Sequence, residues 1–419
     1  MDEILLNTDP SAFHLLQHGH RDMVSATAFN SYGNRFGTGS VDGTLERPQL
    51  RDPSSIPEHL CFVTEFDCSY LVQIQWLPAT IYPNLIATLA ADGKFRIWAE
   101  DPTIEPGSGK RFNPCGNEPV FELRSISRSP FLSFTISHHH KNRHTFLALI
   151  NRSATVVVYE NDEPENLESW NEIDSFTVCE KPARGEEISF RVAFDPNLQP
   201  AYTAILEGVP KDALGLVVAS MYTASVWRTR EITHTISLGS TNSKEFYRAV
   251  DLKGHKGLVR DVAWAPGNIR GHDVIATACK DGFIRVFQVL TPPSNKNEVQ
   301  EETQTCNDSQ LFDKTEIIPQ FPDLQISQVP SGIGAGLMEP HPPPDKAEEH
   351  DIVAHISKEV SLMAPDDSRL PPWKVEFDSD GHLLGSTGDD GKVTLWQREP
   401  NGESWGKYSQ LVMARDTCA

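Results

Sequence analysis

A strand–turn–strand–turn–strand pattern recurs along this chain, and an internal repeat limits the possible folds more tightly than composition does. Its clearest copy is Gly254-His255, then Leu258–Trp264, Val274–Cys279, the turn Asp281-Gly282, and Phe283–Phe287. The last copy runs Trp373–Phe377, Leu383–Thr387, Asp390-Gly391 and Val393–Trp396. Near the start, Gly19-His20 precedes Val24–Phe29, Phe36–Ser40 and Asp42-Gly43, and a second early copy is Ile74–Trp76, Leu85–Leu89, Asp92-Gly93 and Phe95–Trp98. Two plainer copies are Phe131–Ile136 with Phe146–Ile150 and Val156–Tyr159, and Phe190–Phe194 with Leu216–Ser220 and Ser225–Trp227.

Each copy reads as three or four short strands, and Asp-Gly between the second and third suits a hairpin turn with positive φ. Such a unit cannot bury both of its faces alone, so the copies must stack on one another. Strand units stacked radially about an axis form a β-propeller. The expected architecture is all-β, with six WD-type blades at about sixty residues each. Blades one to five occupy residues 1–289, and blade six occupies 351–419.

Residues 290–350 stand apart between them. The segment holds nine prolines and eleven acidic residues against three lysines, with Phe312 and Phe321 as its aromatics. It cannot bury enough apolar area to offset its ordering entropy, and it is expected to be a disordered acidic insertion. The whole chain has 37 basic and 58 acidic residues, a net charge of −21. That balance gives no general reason to track nucleic acid or an anionic bilayer. No run reaches the roughly eighteen apolar residues of a membrane span, and Met1–Pro10 lacks the features of a signal peptide. The seven cysteines are scattered without a C-x-x-C pair and read as reduced thiols.

The marked residues invite a catalytic reading, with His255, Asp281 and Thr277 drawn as a triad. Recurrence argues against it: Asp42, Asp92, Asp281 and Asp390 hold equivalent places in four copies, and an active site is not built four times. A structural network is expected instead, in which His20, Asp42, Asp92, Trp98, Trp227, His255, Thr277, Asp281, Asp390 and Trp396 tie strands together within blades. A buried polar network must be fully paired. His138, His139, His140 and His144 have metal-ligand chemistry but no cysteine or carboxylate close in sequence, so a polar loop is the better reading. No catalytic, metal or cofactor site is expected.

These residues resemble one family. Gly257–Gly271 through Ala278–Phe287 is similar to the fifth blade of the Seh-type WD-repeat nucleoporin in its fungal form. Lys358–Met363 with Trp373–Trp396 is similar to the sixth blade, and Leu77–Leu85 to the second. The resemblance covers most of the chain. It implies a scaffold subunit of the Y-shaped nuclear pore coat at the nuclear envelope, supporting transport of protein and mRNA. The implied partner is a long α-helical nucleoporin that donates a seventh blade in trans to an open six-bladed ring, beside other Y-complex nucleoporins. It also implies a peripheral place in a vacuole-membrane complex regulating target-of-rapamycin signalling.

The sequence has its own features at the ring's ends. Ser404–Met413 is expected to supply the fourth strand of blade six, leaving the leader Ala12–Gln17, with Phe13, Leu15 and Leu16, free as a partner edge. Residues 44–70 depart from the family: Thr44–Pro48 runs into Asp52–Pro57 where a third strand with a closing aromatic belongs. Either blade one is damaged, or wrong exons are joined, and the sharp resumption near Leu71 favours the second. A COPII vesicle-cage propeller is the nearest rival, and a ubiquitin-ligase substrate receptor is a rival of another class.

Overall fold

Runs rich in Val, Ile, Phe and Trp between turn residues become strands, because β-branched and aromatic side chains suit a pleated, packed surface. The computed structural model describes residues 16–17, 22–33, 35–41, 45–46, 49–50, 61–62, 71–103, 118–126, 129–236, 239–268, 271–293, 352–365, 370–399 and 404–412. Met1–Pro292 and Ile352–Ala419 make one compact unit. Pro293–Asp351 make another, of which only Pro293 is described.

The larger unit begins with short strands. β1 (Leu16–Gln17) pairs with β5 (Gln49–Leu50) as a separate ribbon. Sheet one joins β2 (Val24–Phe29), β3 (Arg35–Ser40) and β4 (Leu45–Glu46), with β6 (Cys61–Phe62) parallel to β3. Five antiparallel four-stranded sheets follow, each with its strands in chain order. Sheet two is β7 (Leu71–Trp76), β8 (Leu85–Ala90), β9 (Lys94–Ala99) and β10 (Phe121–Arg124). Sheet three is β11 (Phe131–His139), β12 (His144–Asn151), β13 (Thr155–Asn161) and β14 (Asn171–Thr177). Sheet four is β15 (Phe190–Phe194), β16 (Gly215–Ser220), β17 (Thr223–Ile236) and β18 (Gly239–Leu252), with the helix α1 (Tyr202–Leu206) between its first two strands. Sheet five is β19 (Val259–Trp264), β20 (Asp273–Cys279), β21 (Ile284–Leu290) and β22 (Ile356–Met363). Sheet six is β23 (Pro372–Phe377), β24 (Leu383–Gly388), β25 (Lys392–Arg398) and β26 (Trp405–Val412).

The first strands of successive sheets lie side by side, β2 on β7, β7 on β11, β11 on β15, β15 on β19 and β19 on β23. This is how blades pack about an axis, and the fold is an all-β WD-repeat propeller. Side-chain alternation divides each middle sheet between two neighbours. Leu216 and Val218 pack toward Phe146 and Val156 of sheet three, while Val217 and Ala219 pack toward Val259 and Ile275 of sheet five. A separate apolar cluster fills each of the five interfaces from sheets one–two to five–six.

Two expectations are corrected. The repeat predicts six blades, but among the described residues five complete blades stand in the ring. In sheet one the described part of the third strand is Leu45–Glu46, and Cys61–Phe62 takes the adjoining stretch of β3 in the parallel sense. Asp42-Gly43, the turn that should open that strand, and most of residues 44–70 lie outside the described residues. The second correction concerns the insertion, which interrupts sheet five instead of separating it from sheet six. β22, on its far side, pairs antiparallel with β21, Leu290 opposite Ile356. The C-terminal strand β26 completes sheet six along β25, Val393 opposite Leu411.

The Asp-Gly turns sit in two different surroundings. Gly93 has φ +72°, and a Cβ there would lie 2.2 Å from Pro130 Cβ and 2.6 Å from its Cα, at the entry to sheet three. Gly391 has φ +65° and open space around it. Gly391→Ala should therefore cost about 1 kcal/mol, from backbone conformation alone. Gly93→Ala should cost at least about 3 kcal/mol, because overpacking against backbone adds to the same strain. Denaturant unfolding of the two variants checks the difference.

Candidate interaction site

The expected network residues divide by position. On the strands, the closing tryptophans donate to a hydroxyl inside the blade: Trp98 Nε1 to Thr88 Oγ1, Trp227 Nε1 to Ser225 Oγ and Trp396 Nε1 to Ser386 Oγ, each at 2.9 Å. Sheet five has Phe287 in the closing place, and there His255 Nε2 lies 2.9 Å from Thr277 Oγ1 with its ring 5.8 Å from that of Phe287. In the turns, the aspartates hold backbone and arginine. Asp92 accepts from Lys94 N–H and from Arg96, and Asp281 accepts from the N–H groups of Lys256 and Phe283 and from Arg285. Asp390 accepts from Lys392 N–H at 3.1 Å. His20, Asp42, Phe13 and Leu15 lie outside the described residues, while the backbone of Leu16 pairs with Leu50 in the β1–β5 ribbon.

The four histidines near the sheet-three hairpin separate by strand alternation. His138 Nδ1 meets Thr145 Oγ1 at 2.9 Å, which Tyr82 Oη also reaches at 3.0 Å, and His144 Nδ1 meets Glu160 at 2.5 Å. His139 packs its ring on Phe146, 5.3 Å between centroids. Among the described residues, no group of three or more His, Cys, Asp or Glu side chains is placed to hold a metal ion.

The last sheet differs from the others. β16 and β20 are buried at every position, whereas β24 and β25 bury Leu384, Ser386, Thr394 and Trp396 and leave the residues between them partly or fully exposed. The buried set faces sheet five. On the opposite face, register places Leu383, Val393, Leu395 and Leu411 together, with Lys374 and Glu376 beside them on β23. Among the described residues, the strands of sheets six and one do not pack on one another as neighbouring sheets do. Among the described residues, one face of sheet six is therefore without a neighbouring sheet.

The WD domain, G-beta repeat family matches residues 13–46, 247–288 and 365–397. Nucleoporin SEH1 of Chaetomium thermophilum is 34% identical to this chain in an alignment covering 99% of it and 97% of the relative. The chain belongs to the Seh1 nucleoporin family. Nucleoporin SEH1 of Saccharomyces cerevisiae is 25% identical over 92% of this chain and 95% of its own. Protein transport protein SEC13 of Mycosarcoma maydis is 21% identical over 94% and 93% respectively.

This Seh1 family member also holds a buried charge cluster that the repeat pattern does not announce. Arg228 of β17 is fully buried; its Nη2 donates to Asp273 Oδ2 at 2.5 Å, its Nε donates to His355 Nε2 at 3.0 Å, and Asp195 lies 3.8 Å from Nη1. Gly215 lets the group close up, since a Cβ there would lie 2.9 Å from Asp195 Cβ and 3.0 Å from the Trp264 ring. The signals available in sequence were a charge following the closing Trp227 and an Asp heading the apolar run Val274–Cys279. Their meeting is a matter of tertiary placement.

Burial drives His138, His255 and His355 down to about 4. Histidine ordinarily titrates near about 6.5, so below that pH the unfolded chain takes up protons at these positions that the fold refuses. Their stabilising contribution is full above that pH and is lost as pH falls, by up to about 1.4 kcal/mol per pH unit for each histidine. Asp195, raised to about 7 by burial and by Asp273, acts in the opposite sense and costs stability as pH rises toward that value. His138→Gln should remove one histidine's share of the acid slope, measured by urea unfolding from about pH 7.5 to 5.

Proposed function

We propose that this chain is a structural scaffold subunit of the Y-shaped coat of the nuclear pore, and that the uncovered face of sheet six receives strands from a long α-helical nucleoporin. The observation that carries this reading is the contrast between sheets. Among the described residues, each of sheets two to five is covered on both faces, and sheet six is built of the same strand units with one face bare. A face carrying Leu383, Val393, Leu395 and Leu411 is best covered by another sheet, because aligned strands interdigitate at the density of a core. A donated blade in trans satisfies that geometry without altering the chain's own strand order.

The nuclear pore assignment draws on relatives named as nucleoporins from three fungi. The vacuole-associated role rests on the resemblance alone. The leader at Leu16 is paired within its own ribbon, which moves the docking edge from the N-terminal leader to the face of sheet six.

The test is co-expression with the helical coat nucleoporin of the same organism. The unaltered chain should form a stoichiometric complex that survives high salt, since the contact is apolar at its centre. Val393→Asp with Leu395→Asp should abolish that complex while leaving the isolated chain's melting within a few degrees, because both positions lie off the sheet-five interface. Retention of the complex by the double variant would overturn the docking face, and failure of the unaltered chain to bind would overturn the scaffold reading.

A further inference from the structure

We propose that Arg228 is a latch for the long insertion: it grips His355, so that β22 stays seated on sheet five whatever happens in the residues between Pro293 and Ile352. The need for such a device is visible in β22 itself. At its N-terminal end Ile356 is 53% exposed and Lys358 and Glu359 are exposed, and only Ser361 and Met363, near the other end, are buried. The half of the strand next to the insertion therefore brings no buried apolar side chain to the sheet. A strand arriving after a long loop and held there by its ladder alone would fray first.

The structure supplies the hold one residue before the strand begins. His355 is buried, and its Nε2 accepts a hydrogen bond from Arg228 Nε, so the ring is neutral with its proton on Nδ1. That Nδ1 lies 3.5 Å from Thr291 Oγ1, on the chain just leaving β21. The two roots of the insertion thus meet at one point, and Arg228 of sheet four closes them. Asp273 and Asp195 offset the buried guanidinium charge, Trp264 lies beneath it with its ring centre 5.5 Å away, and Val353 packs onto Ala204, Val209 and Ala213 alongside. Removing the acceptor at 355 leaves a buried charged donor unpaired, which is costly.

Amide hydrogen exchange of the full chain tests this. His355→Gln, which keeps an acceptor for Arg228, and a chain with residues 294–351 replaced by a short Gly-Ser linker should both leave exchange across Ile356–Met363 within about twofold of the unaltered protein. His355→Lys, which sets a like charge against Arg228, should speed exchange in β22 by about tenfold to a hundredfold and leave β19–β21 unchanged. Should His355→Lys not fold, His355→Ala removes the acceptor without adding charge and should show the same localised effect. Unchanged β22 exchange in His355→Ala, equal effects of Gln and Ala, or a rise spread evenly over all sheets would each overturn the latch.

Discussion

Burial of both faces of every sheet is the constraint on which this propeller depends. A four-stranded unit with apolar side chains pointing both ways has no stable place in water, and its neighbours are its only cover. In sheet four this division is visible residue by residue. Leu216 and Val218 belong to one interface and Val217 and Ala219 to the next, so one short strand serves two cores at once. The requirement passes from sheet to sheet along the chain. Among the described residues it is met from sheet two to sheet five and left unmet on one face of sheet six, where the same strand pattern persists without a neighbour.

Many of the polar groups inside this apolar stack are answered within their own blade. The closing tryptophans of sheets two, four and six bring a large ring to the interface and a single N–H that needs an acceptor, and Thr88, Ser225 and Ser386 supply it at 2.9 Å. The turn aspartates act elsewhere: Asp92 and Asp281 hold turn amides and an arginine four residues on, across the hairpin. The tryptophans of sheets two and six tie strand to strand, that of sheet four bonds within its own strand, and the aspartates fix the turns. Recurrence of both sets in several blades is what a repeating mechanical role requires, and a unique chemical role does not.

Much of this was legible from residue pattern alone. Short apolar runs, Asp-Gly turns and closing aromatics mark the first three strands of sheets two, five and six, because those features are local and the turn chemistry is specific. The fourth strands are harder. Lys358–Met363 alternates weakly and follows a long polar insertion, so nothing near it in sequence says that it returns to Ile284–Leu290; only the ladder across the insertion does. The same holds for the Arg228 cluster, whose members come from four separate segments. Sheet one departs for another reason. Its first two strands carry the repeat pattern, and the prolines at 48, 53 and 57 interrupt the stretch where the third strand belongs, a departure the sequence itself marks.

The face of sheet six that no described strand covers is mixed in character. Lys374 and Glu376 on β23 stand beside the apolar group on β24, β25 and β26, and glycine at 385 keeps the patch shallow where Leu395 crosses it. A second copy stacked face to face on a two-fold axis must set this patch against itself reversed. A different chain has no such symmetry to obey. It can place apolar residues over Val393 and Leu395 and opposite charges over Lys374 and Glu376 independently of one another, and the mixed face thereby suits a complementary partner.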